Sequence, residues 1–424
     1  MDDDARRLID FIDTSPSPFH ACTNVAARLE EAGYTRLDET HAWSGTDVET
    51  GFVIRGGSLI AWRADGHAPA TGMRLIGAHT DSPNLRVKLR PDTSSAGIRQ
   101  IGVEVYGGAL LNSWLDRDLG LSGRVAVRSA RGIEERLLLV DRPVLRIPQL
   151  AIHLHREIRE DGLKLNPQKH LTPMWEIGDE SEGAFARFVA DELDVDPAAI
   201  DGWDVMLHDT QGGAVVGRRD EFVSSARLDN LLSSFVGTEA LLATAAGDPH
   251  VEMLVLFDHE EIGSTSDRGA ASSMLPAAIE RVISARGGDR DDLHRALAAS
   301  VCLSADNAHA THPNYPDKHD PQHMIELNGG PVLKSNANQR YASDATSAAT
   351  FVAACREAEV PFQRYSHRND LPCGSTIGPI TASNLGIATV DVGAPQLAMH
   401  SARELAGVAD VTHYRKALTT FLRS

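Results

Sequence analysis

The chain is poor in cysteine, and its four cysteines lie far apart. Cys22, Cys302, Cys355 and Cys373 form no C-x-x-C pair within the 424 residues. This spacing argues against a disulfide framework and against a zinc ribbon. We therefore expect a reducing compartment, and a cytoplasmic protein.

Long apolar runs and positive charge are also scarce. No stretch approaches the roughly 20 apolar residues that a membrane-spanning helix requires, and the acidic start MDDDARRLIDFIDTSPSPFH lacks the apolar run of a signal peptide. The 41 basic residues are outnumbered by 59 acidic ones, for a formal net charge of −18. Such a protein repels nucleic acid and acidic membranes, so we expect neither as a partner.

The composition is that of a folded globular protein, with 42% hydrophobic and 24% charged residues. Over residues 1–91 and 225–424, helical patterns alternate with continuous apolar strands. This alternation predicts an α/β domain with a mostly parallel central sheet flanked by helices. Between residues 92 and 224, short alternating segments separated by turns predict an inserted β-rich unit.

Side chains capable of metal binding or acid–base chemistry follow several apolar strands. MRLIGA leads into HTD (79–81), VEMLVLF leads into DHEE (258–261), and SVCLSA leads into DN (306–307). A further strand near 386–392 precedes His400. Ligands of open α/β sheets bind at the carboxyl ends of the strands, so these residues are candidate metal ligands or acid–base groups.

Each candidate also has a structural alternative. His79 and Asp81 are two residues apart at a strand end, so both side chains point to one face and the carboxylate can orient the imidazole toward a metal. An ordinary hydrogen-bonded histidine is the alternative. The pair Glu260-Glu261 can divide the roles of metal ligand and general base, or can belong to a solvated loop. For Asp306 both interpretations remain open.

Asp229 and His400 are the most ambiguous residues. Asp229 lies in the first turns of a predicted helix, where compensation of the helix dipole is the favoured interpretation. His400 precedes Ser401-Ala402-Arg403-Glu404, a capping-box pattern that predicts a helix starting at residue 401. Taken together, the candidates form the ligand set of a carboxylate-bridged dinuclear site, which suits zinc, manganese or cobalt.

The chain resembles the aspartyl aminopeptidases of the M18 metallopeptidase family over nearly its whole length. The matching motifs are, in order, GAHTDSPNLRVK (77–88), SARLDN (225–230), DHEEIGS (258–264), SADNAHATHPNYPDKH (304–319), GPVLKSNANQRYASD (330–344), PCGSTIGPI (372–380) and QLAMHSARE (396–404). The resemblance implies a zinc-exopeptidase-like fold in which residues 92–224 form an inserted dimerisation domain. It also implies an enzyme that uses two divalent metal ions, most often zinc, to release N-terminal Asp or Glu from peptides.

The resemblance further implies roles for individual residues. One ion would be held by His79, Asp229 and Asp306, and the other by Asp229, Glu261 and His400. Glu260 would be the general base, and Asp81 would orient His79.

The resemblance also implies a pocket for the acidic side chain of the substrate. Lys334 would pair with the substrate carboxylate, although the residues alone favour an exposed lysine in a polar loop. Tyr341 and His312 are expected nearby.

Within residues 92–224, IPQLAIHLHRE (147–157) resembles a segment that reaches the active site of a neighbouring subunit. The matching histidine is His153. It could instead be an interface residue without a chemical role, and His155, two residues away on the same face, could be the true match. The resemblance implies a homododecamer built from dimers. A two-metal aminopeptidase or deacylase of different substrate preference, and an inactive shell-forming protein, are the alternative functions.

Overall fold

A computed structural model describes residues 3–179 and 181–424, and the chain divides into two compact units. The first unit comprises Met1–Asp81, Gly213–Met399 and Glu404–Ser424, and the second comprises Ser82–Gly212 and His400–Arg403. These boundaries fall earlier in the chain than residues 92 and 224. The reason is strand pairing: Asn84–Ser95 pairs within the second unit, whereas Phe222–Ser225 pairs within the first.

The first unit is built on a mixed sheet whose centre is parallel. The adjacent central strands Val251–Phe257, Met73–His79, Val301–Ala305 and Ala388–Gly393 all run in the same direction. Antiparallel pairings occur on both sides of this centre. In spatial order the strands are Thr35–Arg36, Thr50–Arg55, Ser58–Arg63, Val251–Phe257, Met73–His79, Val301–Ala305, Ala388–Gly393, Val332–Ser335 and Gln363–Ser366.

Helices cover both faces of this sheet, and the period of two along each strand supplies a separate core to each face. In the central strand Val251–Phe257, Leu254 and Leu256 pack into one core, and Met253 and Val255 pack into the other. The helices of the first core are Asp3–Asp13, Pro18–Glu31, Leu228–Leu242, Ala345–Glu357 and Val408–Arg423. Those of the second core are Met274–Ala285, Arg290–Ala298 and Ile377–Leu385. The predicted α/β architecture with a parallel centre is confirmed.

A smaller sheet in the same unit corrects one prediction. In spatial order its strands are Ala214–Val216, Phe222–Ser225, Glu404–Gly407, Pro395–Leu397 and Ala308–His309. The helix predicted to start at residue 401 is therefore wrong, because Glu404–Gly407 is a strand and the helix begins at Val408. The Glu404 carboxylate does not close a capping box; it accepts a hydrogen bond from a distant backbone amide.

The second unit is a closed β-barrel, and the short alternating segments of its sequence form the strands. Its interior is apolar and includes the fully buried Leu85, Leu121, Val125 and Val140. The barrel strands are, in spatial order, Ile200–Asp209, Asn84–Ser95, Ile98–Tyr106, Met174–Ile177, Gly132–Arg146 and Asp118–Ser129. Its helices are Ile158–Asp161, Pro167–His170 and Ala184–Leu193.

Among the helices in the described part of the chain, none is both long and apolar enough to span a membrane. Cys22, Cys302, Cys355 and Cys373 are all free thiols, and the first three are buried.

Candidate metal centre

Parallel pairing brings the candidate residues of three strands to one edge of the sheet. His79 ends its strand directly opposite Phe257, and the loop carrying Glu260 follows Phe257. Asp306 follows the neighbouring strand Val301–Ala305, whose Ser304 pairs with Gly77. Since parallel strands end at the same edge, residues far apart in the sequence converge there.

The imidazole of His79 lies at the centre of this cluster. Its Nε2 is 3.3 Å from Oδ1 of Asp229, 3.9 Å from Oδ1 of Asp306 and 4.0 Å from Oε2 of Glu260. Ligand atoms of His79, Asp229 and Asp306 all lie within 4.8 Å of one another, as do those of His79, Glu260 and Glu261. Three donor atoms at this spacing can surround one cation.

Asp81 fixes which nitrogen of His79 faces the cluster. The Nδ1 of His79 lies 2.9 Å from the backbone carbonyl of Asp81 and 3.3 Å from its Oδ1, and both oxygens can only accept. Nδ1 therefore carries the hydrogen in the neutral ring, and the lone pair of Nε2 points toward the carboxylates. This is the orientation that a metal-binding histidine requires.

The same aspartate holds the loop that carries the two glutamates. Oδ1 of Asp81 accepts a hydrogen bond from the amide of Glu260, and Oδ2 accepts one from the amide of Glu261, each at 3.1 Å. A single buried carboxylate thus orients His79, Glu260 and Glu261 together. Part of this was predicted, since the sequence assigned Asp81 to His79 alone.

Asp229 does not fit the helix-dipole interpretation. The helix Leu228–Leu242 has non-helical backbone angles at Asp229 and Asn230, so these two residues do not belong to its regular first turn. The Asp229 side chain is buried and lies beside His79. Its amide donates to Oε2 of Glu404 at 2.9 Å.

The electrostatics of the cluster are those of crowded negative charge. Burial raises the pKa of Glu260 to about 8, and the carboxylates of Asp306, Asp81 and Asp229 add to that rise while His79 opposes it. Burial and the Asp229 carboxylate raise the pKa of Glu261 well above its ordinary value. Burial also raises the pKa of Asp306, with Lys334 opposing the rise.

His79 responds in the opposite sense. Burial alone would lower its pKa, but the carboxylates of Asp229, Asp81 and Glu260 outweigh burial and hold the pKa well above its ordinary value. Buried acids that raise one another's pKa are stabilised by a cation placed among them. The oxygens and the imidazole nitrogen of this cluster are a suitable donor set for a divalent metal ion.

Lys334 is not the exposed loop residue that its sequence context favours. It lies in the strand Val332–Ser335, and its side chain is 2% exposed. Its Nζ donates to the carbonyl of Asp306 at 2.7 Å, contacts that of Asn307 at 3.4 Å, and lies 5.1 Å from the ring centre of Tyr341. The buried ammonium group of Lys334 therefore contacts the backbone of Asp306, one of the candidate ligands.

The other predicted pocket residues differ in their surroundings. Tyr341 is buried, and burial together with Cys373 raises its pKa. His312 is half-buried in a turn, where its Nδ1 accepts a hydrogen bond from the amide of Asn314 at 3.1 Å.

Two predicted histidines belong to the second unit. His400 lies in the four-residue segment His400–Arg403. His153 is exposed in a single 3₁₀ turn, Ile152–Leu154, which His155 follows. The segment is not a strand, so the expectation that His153 and His155 share one face is wrong.

Two supporting residues, Asn307 and Glu404, were not predicted from the sequence. Asn307 donates through its side chain to the carbonyl of Leu228 and to Oε1 of Gln396, each at 2.8 Å. Its position next to Asp306 was the available signal. Glu404 was missed because the capping-box pattern offered a local role for it.

Comparisons with known proteins identify the family. The sequence model of the family described as Aminopeptidase I zinc metalloprotease (M18) matches residues 11–422. The chain is 52% identical to a probable M18 family aminopeptidase 2 of Mycobacterium leprae, over 98% of both chains. It is 51% identical to the protein of that name from Streptomyces avermitilis, over 98% of this chain and 96% of that protein.

Solved structures of similar proteins cover the whole fold. One is a structure of the S. cerevisiae mApe1 dodecamer, with 30% identity, a TM-score of 0.85 and coverage of 99% of this chain and 96% of that one. Another is an M18 aminopeptidase from Thermotoga maritima, with 21% identity, a TM-score of 0.88 and coverage of 99% and 95%, which supports the fold alone. The chain belongs to the M18 family, and it is a metal-dependent aminopeptidase.

Proposed function

We propose that this aminopeptidase releases N-terminal aspartate or glutamate from peptides and uses two divalent metal ions per chain. The observation that carries the proposal is the convergence of five carboxylates on His79, those of Asp81, Asp229, Glu260, Glu261 and Asp306. The buried ammonium group of Lys334 also contacts the backbone carbonyl of Asp306. A site built in this way has the donors for metal ions and a positive charge for an acidic side chain.

The first ion would be held by His79, Asp229 and Asp306, and the second by Asp229, Glu261 and His400. The spacing of His79, Asp229 and Asp306 supports the first set. Chain connectivity supports His400, because Glu404, four residues further on, is hydrogen-bonded to the amide of Asp229.

The mixture of imidazole and carboxylate donors suits zinc, and manganese or cobalt would also fit. When bound, the ions would lower the pKa of a water molecule and polarise the scissile carbonyl group. All other steps fall to the side chains of the protein.

Glu260 is the proposed general base. The carboxylate of Glu260 lies near His79, among the candidate ligands. The backbone of Glu260 is held in place by the hydrogen bond from its amide to Asp81. The carboxylate would take a proton from the attacking water and deliver that proton to the departing amine. The surrounding acids would attract the free α-amino group of the substrate, which favours cleavage at the N-terminus. His153 is the proposed additional donor to the oxygen on which negative charge develops.

Lys334 is the proposed selector for acidic residues. It has three N–H donors, and two of them face the carbonyls of Asp306 and Asn307. The third donor and the positive charge would bind the substrate carboxylate. Tyr341 and His312 would complete the pocket wall.

We also propose that the chain assembles as a homododecamer built from dimers, with residues 92–224 providing the dimer contact. The dodecameric relative supports the assembly. The second unit also exposes apolar side chains, including Leu89, Ile133, Leu154 and Ile177, and exposed apolar surface commonly marks an interface. His153 would then act in a neighbouring active site.

The proposed location is the cytoplasm. The four free thiols support a reducing compartment.

The test is the release of a chromophore from N-terminal Asp, Glu, Leu and Lys amides, with and without a chelator. We expect turnover of the Asp and Glu amides, its loss with the chelator, and its recovery on addition of a divalent metal. Turnover of Leu or Lys amides instead would favour an aminopeptidase of different preference. A lack of turnover would favour a deacylase if two ions are bound per chain, and an inactive shell protein if fewer are bound.

A further inference from the structure

We propose that His259 and Arg268 are positioning residues that hold the general base Glu260 at the metal centre. They act through a closed ring of hydrogen bonds that also includes Asp258. The inference rests on the proposed role of Glu260.

The backbone before Glu260 adopts a conformation that needs external support. Glu260 begins the 3₁₀ turn Glu260–Ile262, and His259 precedes it with a φ of 67°. Residues other than glycine seldom adopt this left-handed backbone conformation, so neighbouring contacts must stabilise it at His259. The position of Glu260 depends on those contacts.

The imidazole of His259 is bound at both nitrogens. Nε2 lies 3.0 Å from Nη2 of Arg268, and Nδ1 lies 2.8 Å from Oγ of Ser266. A guanidinium only donates, so Nε2 accepts and Nδ1 carries the hydrogen that is donated to Ser266. One neutral tautomer therefore satisfies both bonds.

Asp258 closes the ring. Nε of Arg268 donates to Oδ2 of Asp258 at 2.8 Å, and Oδ1 of Asp258 accepts the backbone amide of His259 at 2.9 Å. The side chains of Arg268 and Asp258 are 12% and 1% exposed. Charge-assisted hydrogen bonds that are shielded from water in this way are strong and directional.

Gly57 and Ser58 contact the ring at Asp258 and Arg268. Oγ of Ser58 accepts the amide of Asp258 at 2.7 Å and donates to the carbonyl of Arg268 at 2.9 Å. A Cβ atom on Gly57 would lie 2.5 Å from Oδ2 of Asp258, so this approach requires glycine. The backbone carbonyl of Gly57 accepts a 2.6 Å hydrogen bond from the hydroxyl of Thr80, the residue that follows His79.

The contacts therefore constrain Glu260 from two directions. Asp81 holds the amides of Glu260 and Glu261, and the ring of Asp258, His259 and Arg268 holds the residue before them. Loosening the ring acts first on Glu260, the glutamate next to His259, while Asp81 continues to hold the amide of Glu261. Displacement of a reacting group by about 1 Å costs roughly 100-fold in rate.

The test compares Arg268→Gln, His259→Ala and His259→Gln with Arg55→Gln as a matched control. Arg55 donates to the carbonyl of Asp267 at 2.7 Å, in the loop that carries Arg268, and its guanidinium also donates to the carboxylate of Glu39. We expect Arg268→Gln and His259→Ala to lower kcat roughly 10- to 100-fold with KM and metal content unchanged. His259→Gln, which keeps a donor and an acceptor, should recover part of that loss, and Arg55→Gln should resemble the parent.

Three results would overturn the inference. The first is a parent-like kcat in Arg268→Gln and His259→Ala. The second is an equal loss of kcat in Arg55→Gln, and the third is a loss of kcat that follows metal content or melting temperature, because in either case the ring would only stabilise the loop.

Glu260→Gln, measured in the same series, separates the two proposals. If it keeps turnover, the general-base assignment fails. If it is inactive while the ring variants are not, the positioning inference alone fails. In the double variant Glu260→Gln/Arg268→Gln, the expected result is no further loss beyond Glu260→Gln.

Discussion

Glu404 accepts a hydrogen bond from the backbone amide of Asp229, with its Oε2 2.9 Å from the amide nitrogen. The two residues are 175 positions apart, and both side chains are buried. On the other side, Asn307 donates to the carbonyl of Leu228. The two hydrogen bonds hold the peptide group between Leu228 and Asp229, and they thereby orient Asp229.

Replacement of Glu404 by alanine should weaken metal binding. The change leaves the Asp229 amide without its acceptor, and loss of an outer contact of this kind costs about 10- to 100-fold in metal affinity. Competition with a chelator of known affinity measures the effect. Glu404→Gln keeps an acceptor oxygen and should lose less; parent-like affinity in both variants would contradict the role given to Glu404.

Asp81→Asn should reduce both metal affinity and kcat. An asparagine has one acceptor oxygen, whereas Asp81 uses two for the amides of Glu260 and Glu261. We expect a loss of roughly 10- to 100-fold in metal affinity, measured by chelator competition.

Asp92→Asn is the matched control for Asp81. Asp92 also accepts two backbone amides, those of Gly183 and Phe185, each at 2.9 Å, but it lies in the barrel of the second unit. It should leave metal affinity unchanged. Equal losses in the two variants would mean that the effect is general destabilisation.

Lys334→Met should change the substrate preference more than the total activity. The ammonium group is the proposed partner of the substrate carboxylate, so kcat/KM for Asp and Glu amides should fall about 100-fold relative to Leu amides. The ratio of rates within one preparation is the measurement, because any loss of metal cancels. An unchanged ratio would assign Lys334 a purely structural role through the carbonyls of Asp306 and Asn307.

The sequence predicts those features that depend on local pattern. The apolar strands that end at His79, Phe257 and Ala305 are continuous and strongly β-forming, so the convergence of residues behind them follows from the rule for parallel sheets. The α/β architecture follows from the same periodicity.

Features that depend on distant contacts were not predictable from the residues. The serine and glutamate at 401 and 404 fit a capping box, but pairing with Phe222–Ser225 makes Glu404 part of a strand. Lys334 stands in a polar stretch of sequence, and only the strand pairing with Tyr365 and Asp391 places it in the interior. Tertiary structure overrides local propensity in both cases.

Glu252 should make the stability of the protein fall as pH rises through neutrality. Its side chain is fully buried, and neither carboxylate oxygen accepts a hydrogen bond from another described residue. Burial raises the pKa of Glu252 to about 8, with Asp248 adding to the rise and Arg63 opposing it. The folded chain therefore keeps a proton that the unfolded chain releases near its ordinary pKa of 4.5.

The sign of the effect follows from this difference. Below pH 4.5 both states are protonated, and between pH 4.5 and about 8 only the folded state holds the proton, so the free energy of unfolding falls as pH rises through that window. Glu252→Gln cannot titrate. The free energy of unfolding of the variant should match that of the parent near pH 4.5 and exceed it by about 4 kcal/mol at pH 8.

Melting temperatures of parent and variant between pH 5 and 8.5 test this expectation. Because every other titrating group is common to both proteins, the pH dependence of the difference isolates Glu252. Glu30→Gln makes the same substitution at an exposed position and is the control for effects that do not depend on burial. If the difference in melting temperature between Glu252→Gln and the parent did not vary with pH, Glu252 would be ionised in the folded protein. Its carboxylate would then need a partner such as the guanidinium of Arg63, which lies opposite it on the neighbouring strand.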